Sequence, residues 1–234
     1  MSRQPHQPIE VVQNVIQLRE RRQHDAERQP RPTIAISREC YALGGTTGRL
    51  LANQLDWPMY GYEIIDEVAR DMDVNRPLVD GLDEVGFRWV RSIMMSLMGA
   101  PDQTSFAIHL RRVIAAIALE GYAVFLGRGA AVLLPPEHCF RVRIVADKRV
   151  RVRRCMERLG LSRGDATRHV EITDDQRRAF VRDFFNADVT DPHRYDLVIN
   201  TDKVAPASAA EMILALAKER WPVMAEVKEL VSHT

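Results

Sequence analysis

The chain has 234 residues, 46% of them hydrophobic and 28% charged, with a formal net charge of +1. That is the make-up of a folded globular protein of one ordinary or one large domain, and no apolar run reaches the ~18 residues that a membrane span needs. Near-neutral charge gives no global pull toward nucleic acid or acidic membranes, and the odd, widely spaced cysteines Cys40, Cys139 and Cys155 fit neither a disulfide framework nor a zinc site, which makes a reducing cytoplasm the default compartment.

Residues 1–32 read as an appendage. The opening "MSRQPHQPIE" lacks the charged-then-apolar layout of a secretion signal. Ile9, Val12 and Ile16 then make a short helical stripe that turns polar and ends in prolines, the pattern of an arm that docks on a partner subunit in a homodimer or frays. "TIAIS", Thr33 to Ser37, predicts a buried strand and Gly45 to Leu55 a helix. An extended "MY" leads into a helical "GYEIIDEVARDM", and helices are expected over Leu82 to Met98 and Ser105 to Glu120. "YAVFLG", Tyr122 to Gly127, "FRVRIVA", Phe140 to Ala146, and "YDLVIN", Tyr195 to Asn200, read as strands. Helices over roughly 147–159 and 163–185 and two more at the C-terminal end complete the chain. Strands separated by helices predict a parallel sheet covered on both faces, with ligands outside the carboxyl ends of the strands.

Three segments therefore stand out. In "SRECYALGGTTGRLL" a strand enters a glycine-bearing loop and a helix, the layout in which backbone N–H groups and a helix N-terminus gather phosphate. Gly44 and Gly45 allow close backbone approach, and Thr46 and Thr47 bring hydroxyls. The usual lysine is missing, with Arg38 and Arg49 as the nearby cations, and an ordinary turn is the competing reading. In "FLGRGA", Arg128 stands between two glycines at a strand end, where it can either fork onto a phosphate or cap carbonyls. Between Asp147 and Arg182, Lys and Arg outnumber Asp and Glu. Arg151, Arg154 and Arg158 form a stripe there, whereas Arg177 falls among Ala166, Val170, Thr173, Phe180 and Phe184 on the apolar side of its helix. A guanidinium in that position needs an anion, either Asp174 one turn earlier or a bound phosphate, and Arg178 and Arg182 flank it.

Taken in order, "ISRE" with its loop, "GYEIIDEVA" after "MY", "GRGA", "VADKRVRVRR", "DDQRRAF" and "YDLVINTD" resemble the cytidylate-kinase-like proteins, a branch of the P-loop nucleoside monophosphate kinases. The likeness covers about Thr33 to Lys218. It implies an α/β three-layer P-loop kinase-like fold, a central parallel sheet flanked by helices, with a helical lid at about 160–190 inside a domain spanning 33–220; the C-terminal helix over 221–234 lies outside the likeness. The implied activity is transfer of the γ-phosphoryl group of ATP, with Mg2+, to a nucleoside monophosphate of which CMP is the archetype.

By position, Gly44, Gly45 and Thr46 fall to the donor and Arg151 to the lid's root beside it; Thr47 and the nearby cations Arg38 and Arg49 join the donor set as stand-ins for the missing lysine's contacts, and Thr46 is the candidate for the metal. Arg128, with Asp174 and Arg178, falls to the acceptor, and Arg128, Arg154 and Arg177 carry the reacting charge. The loop departs from the Gly-Ser-Gly-Lys of the true kinases in reading "YALGGTT", and Gly61 and Gly129 stand where relatives carry acids. Two other readings remain open: a non-catalytic nucleotide- or phosphometabolite-binding regulator of the same fold, and an arginine-rich module for RNA or protein. Neutral charge and the lack of interleaved aromatics count against the last of these.

Overall fold

The structure is a computed structural model that describes residues 31–61 and 104–222, together with the single positions 13, 65, 88, 90, 91, 93 and 224. The expected N-terminal arm, the helix after "MY", the helix over Leu82 to Met98 and most of the C-terminal helix lie outside the described residues. In chain order the elements are β1 (Thr33–Arg38), α1 (Gly44–Leu55), β2 (Met59–Tyr60), α2 (Ser105–Glu120), β3 (Val124–Leu126), α3 (Ala130–Leu133), β4 (Cys139–Val145), α4 (Lys148–Leu159), α5 (Arg163–Phe185), a 3-10 turn (Pro192–Arg194), β5 (Leu197–Asn200) and α6 (Pro206–Arg220).

The strands form a five-stranded sheet in the order β2-β3-β1-β4-β5, and every pairing is parallel. Both faces are covered. Ile34, Ile36, Val142 and Ile144 pack under α1 and α6 through Leu51, Ala210 and Ile213, while Ala35 and Phe125 face the α2 side through Leu110, Ile114 and Ile117. Alternation along each strand sends successive side chains to opposite layers, which is why a run as uniformly apolar as "TIAI" sits at a sheet centre. Among the described residues, no helix is long and apolar enough to cross a membrane.

The outer strands are shorter than their apolar runs. Tyr122 (φ 50°) and Gly127 (φ 84°) turn left-handed, which limits β3 to Val124–Leu126. At β5 the 3-10 turn runs up to Tyr195, whose hydroxyl donates to the Val189 carbonyl at 2.8 Å. A short α3 follows the glycines of "GRGA", where no helix was expected.

The α4 and α5 helices make a hairpin. Asp147 caps α4 by accepting from the Arg149 N–H, Gly160 ends it in the left-handed region, and Ser162 caps α5 by accepting from the Asp165 N–H. Val152, Cys155, Ala166 and Val170 bury this hairpin directly against Cys40 and Tyr41 of the loop after β1. The segment expected as a lid is thus one 23-residue helix and the turn that follows it. At its far end, the buried Arg111 of α2 donates from Nε to the Phe184 carbonyl at 3.1 Å, which satisfies an orphan carbonyl of the last turn.

Candidate functional site

Strand β1 is central, with β3 on one side and β4 on the other, so the chain reverses its winding direction across β1. A crevice opens at the carboxyl ends of strands at such a switch point. Two loops and the middle of α5 fill its rim.

The loop after β1 is a rigid frame. Tyr41 (φ 57°) and Leu43 (φ 61°) sit in the left-handed region, at a cost of roughly 1 kcal/mol each for residues with a Cβ. Bonds to the hairpin and to β5 offset that strain. The Cys40 N–H donates to Asp174 Oδ1 at 2.7 Å, and the Arg151 Nη1 donates to the Cys40 carbonyl at 3.3 Å and to Asp174 Oδ2. Arg151 Nε also donates to the Ala146 carbonyl and pairs with Glu39 at 3.3 Å. Arg154 reaches the Tyr41 carbonyl at 3.3 Å and the Thr201 carbonyl at 2.6 Å, while the Thr201 hydroxyl donates to the Ala42 carbonyl.

These contacts redistribute the expected ligand residues. Arg151, Arg154 and Asp174 spend their charges holding the loop, and none of them lines the cleft described below. Thr47 is corrected as a ligand hydroxyl, because it is fully buried and donates to the Leu43 carbonyl one turn back at 3.1 Å. Arg49 is exposed on α1, and Arg178 is exposed and paired with Asp175, so neither borders the cleft. The amides of Gly44, Gly45 and Thr46 and the Thr46 hydroxyl have no hydrogen-bond partner among the described residues. A Cβ on Gly44 would lie 2.6 Å from Arg38 Cβ, so the start of α1 and Arg38 are in direct contact.

The second loop wraps tightly. Gly127, Arg128 and Gly129 are all left-handed, with φ of 84°, 50° and 73°. A Cβ at Gly127 would fall 2.0 Å from Arg38 Nη1, and one at Gly129 would fall 2.2 Å from Phe185 Cε2. The backbone is thereby clasped between the Arg38 guanidinium and the Phe185 ring. Arg128 is thrown across the face of Phe180, its guanidinium carbon 4.5 Å from the ring centroid.

Between the loops and α5 lies a cleft of about 380 Å³, a size suited to a small molecule. Arg38, Arg128 and Arg177 line it together, and so does Arg143 of β4, which sequence reasoning passed over. Arg143 is 8% exposed, and its Nη1 donates to Ser37 Oγ at 2.8 Å on the adjacent strand. The signal was present in "FRVRIVA": Phe140, Val142 and Ile144 fill one face, so Arg141 and Arg143 must share the other. Arg141 is bound by Asp196 at the sheet edge, and Arg143 faces the cleft.

Arg177 sits on the inner side of α5 as its spacing required, but its partner is the Arg38 carbonyl at 3.2 Å and not Asp174. Phe180, Val181 and Val189 add an apolar wall. No Asp or Glu is found among the described lining residues, and the surface is concave and partly apolar.

Burial pushes the Cys40 thiol up, against the opposing pull of Arg177 and of a hydrogen bond with Thr173, which leaves it protonated at neutral pH and a poor nucleophile. Among the described residues no three His, Cys, Asp or Glu side chains cluster as a metal site.

No curated protein matches the sequence. A crystal structure of an uncharacterized protein from Eubacterium ventriosum ATCC 27560 is 25% identical, with a TM-score of 0.62 over 81% of this chain and 99% of that one. Shikimate kinase from Bacteroides thetaiotaomicron aligns at 14% identity and TM-score 0.44 over 80% of this chain and 97% of that one. TT1252 from Thermus thermophilus aligns at 18% and 0.47 over 82% and 99%. The cytidylate kinase-like family matches residues 33–203, the span that holds the whole sheet, both loops and the hairpin, and the chain belongs to that family.

Proposed function

We propose that the protein is a nucleotide-binding phosphotransferase, passing the γ-phosphoryl group of ATP to a nucleoside monophosphate whose phosphate lies in the arginine cleft. One observation carries the reading: Arg38, Arg128, Arg143 and Arg177, from four separate elements, face a single concavity beside the start of α1. Phosphoryl transfer requires chiefly positioning and charge neutralisation, which converging guanidinium groups supply.

The donor end is testable against the residues present. The amides of Gly44, Gly45 and Thr46 open a 12-residue helix, and with the Thr46 hydroxyl they are uncommitted, so they fit a phosphate chain with its Mg2+. Magnesium-bound ATP, when held there, supplies the phosphoryl group and screens its charge. Arg128, stiffened by the Phe180 ring, orients the acceptor phosphate. Arg38 touches both the α1 start and Gly127, which suits it to bridge the donor end and the cleft. Phe180, Val181 and Val189 keep water from the acceptor.

Purified protein with Mg-ATP and a panel of nucleoside monophosphates is expected to produce ADP only when an acceptor is present. Arg128→Ala should weaken monophosphate binding more than tenfold, about 1.4 kcal/mol. Absence of ADP formation with every monophosphate sinks the catalytic reading.

A second reading, a non-catalytic binding protein, draws support from the loop itself. The Cys40 amide is already taken by the Asp174 carboxylate, and side chains stand at the left-handed positions 41 and 43. Under that reading nucleotides raise the melting temperature with no turnover.

A further inference from the structure

Arg128 rests on a stack of rings that continues beyond the cleft wall. Its guanidinium carbon lies 4.5 Å from the centroid of Phe180. Phe184, one turn further along α5, stacks on Phe180 with 4.4 Å between centroids and 17° between planes. A ring and a guanidinium that close cannot share one face of Phe180, so Phe180 is covered on both sides. It meets the cleft by its edge, and a nucleobase finds no open face of Phe180 to stack on.

Phe184 is in turn gripped by α2 at two points. The ring of Phe106, in the first turn of α2, stands edge-on to it at 5.9 Å and 83°. The buried Arg111, further along the same helix, donates from Nε to the Phe184 carbonyl at 3.1 Å. Phe184 itself is not among the described residues that line the cleft. Its ring acts on the cleft through Phe180, and through Phe180 on Arg128. The neighbouring contact of Gly129 with Phe185 fixes the backbone of the Arg128 loop, whereas this stack fixes the side chain. A guanidinium laid flat on a ring presents its N–H edge in one direction before any ligand arrives. One that must first be immobilised by the ligand loses about three- to tenfold in affinity, the cost of ordering a single rotamer-rich side chain.

We infer that Phe184 is a positioning residue for the acceptor phosphate: clamped to α2, it backs the Phe180 ring and so sets the direction in which Arg128 presents its N–H groups. The inference rests on the proposed acceptor role of Arg128 and adds to it a residue that stands outside the cleft.

The test is calorimetric titration of the full chain with Mg-ATP and, separately, with adenosine, cytidine, guanosine and uridine 5′-monophosphates, the tightest monophosphate being carried forward. Phe184→Leu is expected to weaken that monophosphate by about three- to tenfold and to leave Mg-ATP within about twofold. Phe184→Tyr, which keeps the ring, should restore the affinity. In an Arg128→Ala background Phe184→Leu should cost almost nothing more, because the residue it positions is gone. If Phe184→Leu folds too poorly to titrate, Phe106→Leu removes the next ring of the stack and should weaken the monophosphate in the same direction by less. Unchanged monophosphate affinity in Phe184→Leu overturns the inference and leaves the acceptor reading intact. Equal weakening of monophosphate and Mg-ATP overturns it as well, since that marks a general loss of structure, and so does a full effect that persists without Arg128. If wild-type protein binds none of the monophosphates, or Arg128→Ala binds them as tightly as wild type, the acceptor reading falls and the inference falls with it.

Discussion

Gly129→Ala is the sharpest probe of how the arginine cleft is built. The new Cβ would sit 2.2 Å from Phe185 Cε2 and 2.5 Å from both Cδ2 and Cζ, so the ring has to move. Phe185 is 2% exposed and packed with Ala130, Ala131 and Phe125 in the core under the sheet, so the move costs about 1–3 kcal/mol of overpacking. Holding alanine at φ 73° adds about 1 kcal/mol. The expected total is about 2–4 kcal/mol, a fall of roughly 4–16 °C in melting temperature for a chain of this size.

The two contributions separate in a double-mutant cycle. In a Phe185→Leu background the steric part should largely vanish and leave the backbone part, giving a coupling of about 1–3 kcal/mol. Chemical denaturation of the four proteins measures it. Because Phe185 belongs to the last turn of α5, the ring's displacement should also disturb Phe180 and weaken phosphate binding. A Gly129→Ala cost below about 1 kcal/mol, or one identical in both backgrounds, refutes the clasped-loop picture.

Asp174→Ala should strip the loop of its central anchor, leaving the Cys40 amide and part of the Arg151 charge unpaired; a loss of about 3–5 kcal/mol in chemical denaturation is expected, and a loss under 1 kcal/mol contradicts the frame described for it. For Asp196, burial opposes ionisation, but hydrogen bonds from Arg141 and the charges of Arg141 and Arg220 outweigh it and hold the carboxyl below its usual value. Its stabilisation is therefore fully present above the ordinary pKa of ~3.9 and is lost as pH falls through the lower folded-state value. Asp196→Asn should flatten the acid limb of a melting-temperature profile, and an unchanged limb rules the linkage out. Burial raises the Cys40 thiol and pushes Cys139 up to about 12, and Cys155 is buried with them. Maleimide is thus expected to label none of the three at neutral pH until denaturant is added, whereas rapid native labelling of Cys139 would show that its core opens readily.

Much of the fold could be read from the chain because its signals are local and periodic. The helices over Ser105–Glu120 and Arg163–Phe185 follow apolar spacing bounded by Thr104 and Ser162 caps, and the "TIAI" run can only be a strand buried on both faces. The glycines flanking Arg128 marked a special backbone, and the apolar neighbours of Arg177 placed it inward.

The sequence alone thus determined an α/β fold with guanidinium groups near the ends of its strands. Only the tertiary structure decided which of them share a cleft. Arg151 and Arg154 look as suitable as Arg38 and Arg143 along the chain, yet the first two close on Asp174, Tyr41 and Thr201, and the last two open onto the cleft with Arg128 and Arg177. The physical reason is that an arginine's role depends on which oxygens its guanidinium meets. Those oxygens come from other elements, 23 positions away for Asp174 with Arg151, and more than a hundred for Ser37 with Arg143 and for Arg38 with Arg177, which the sheet order and the α5 packing bring together.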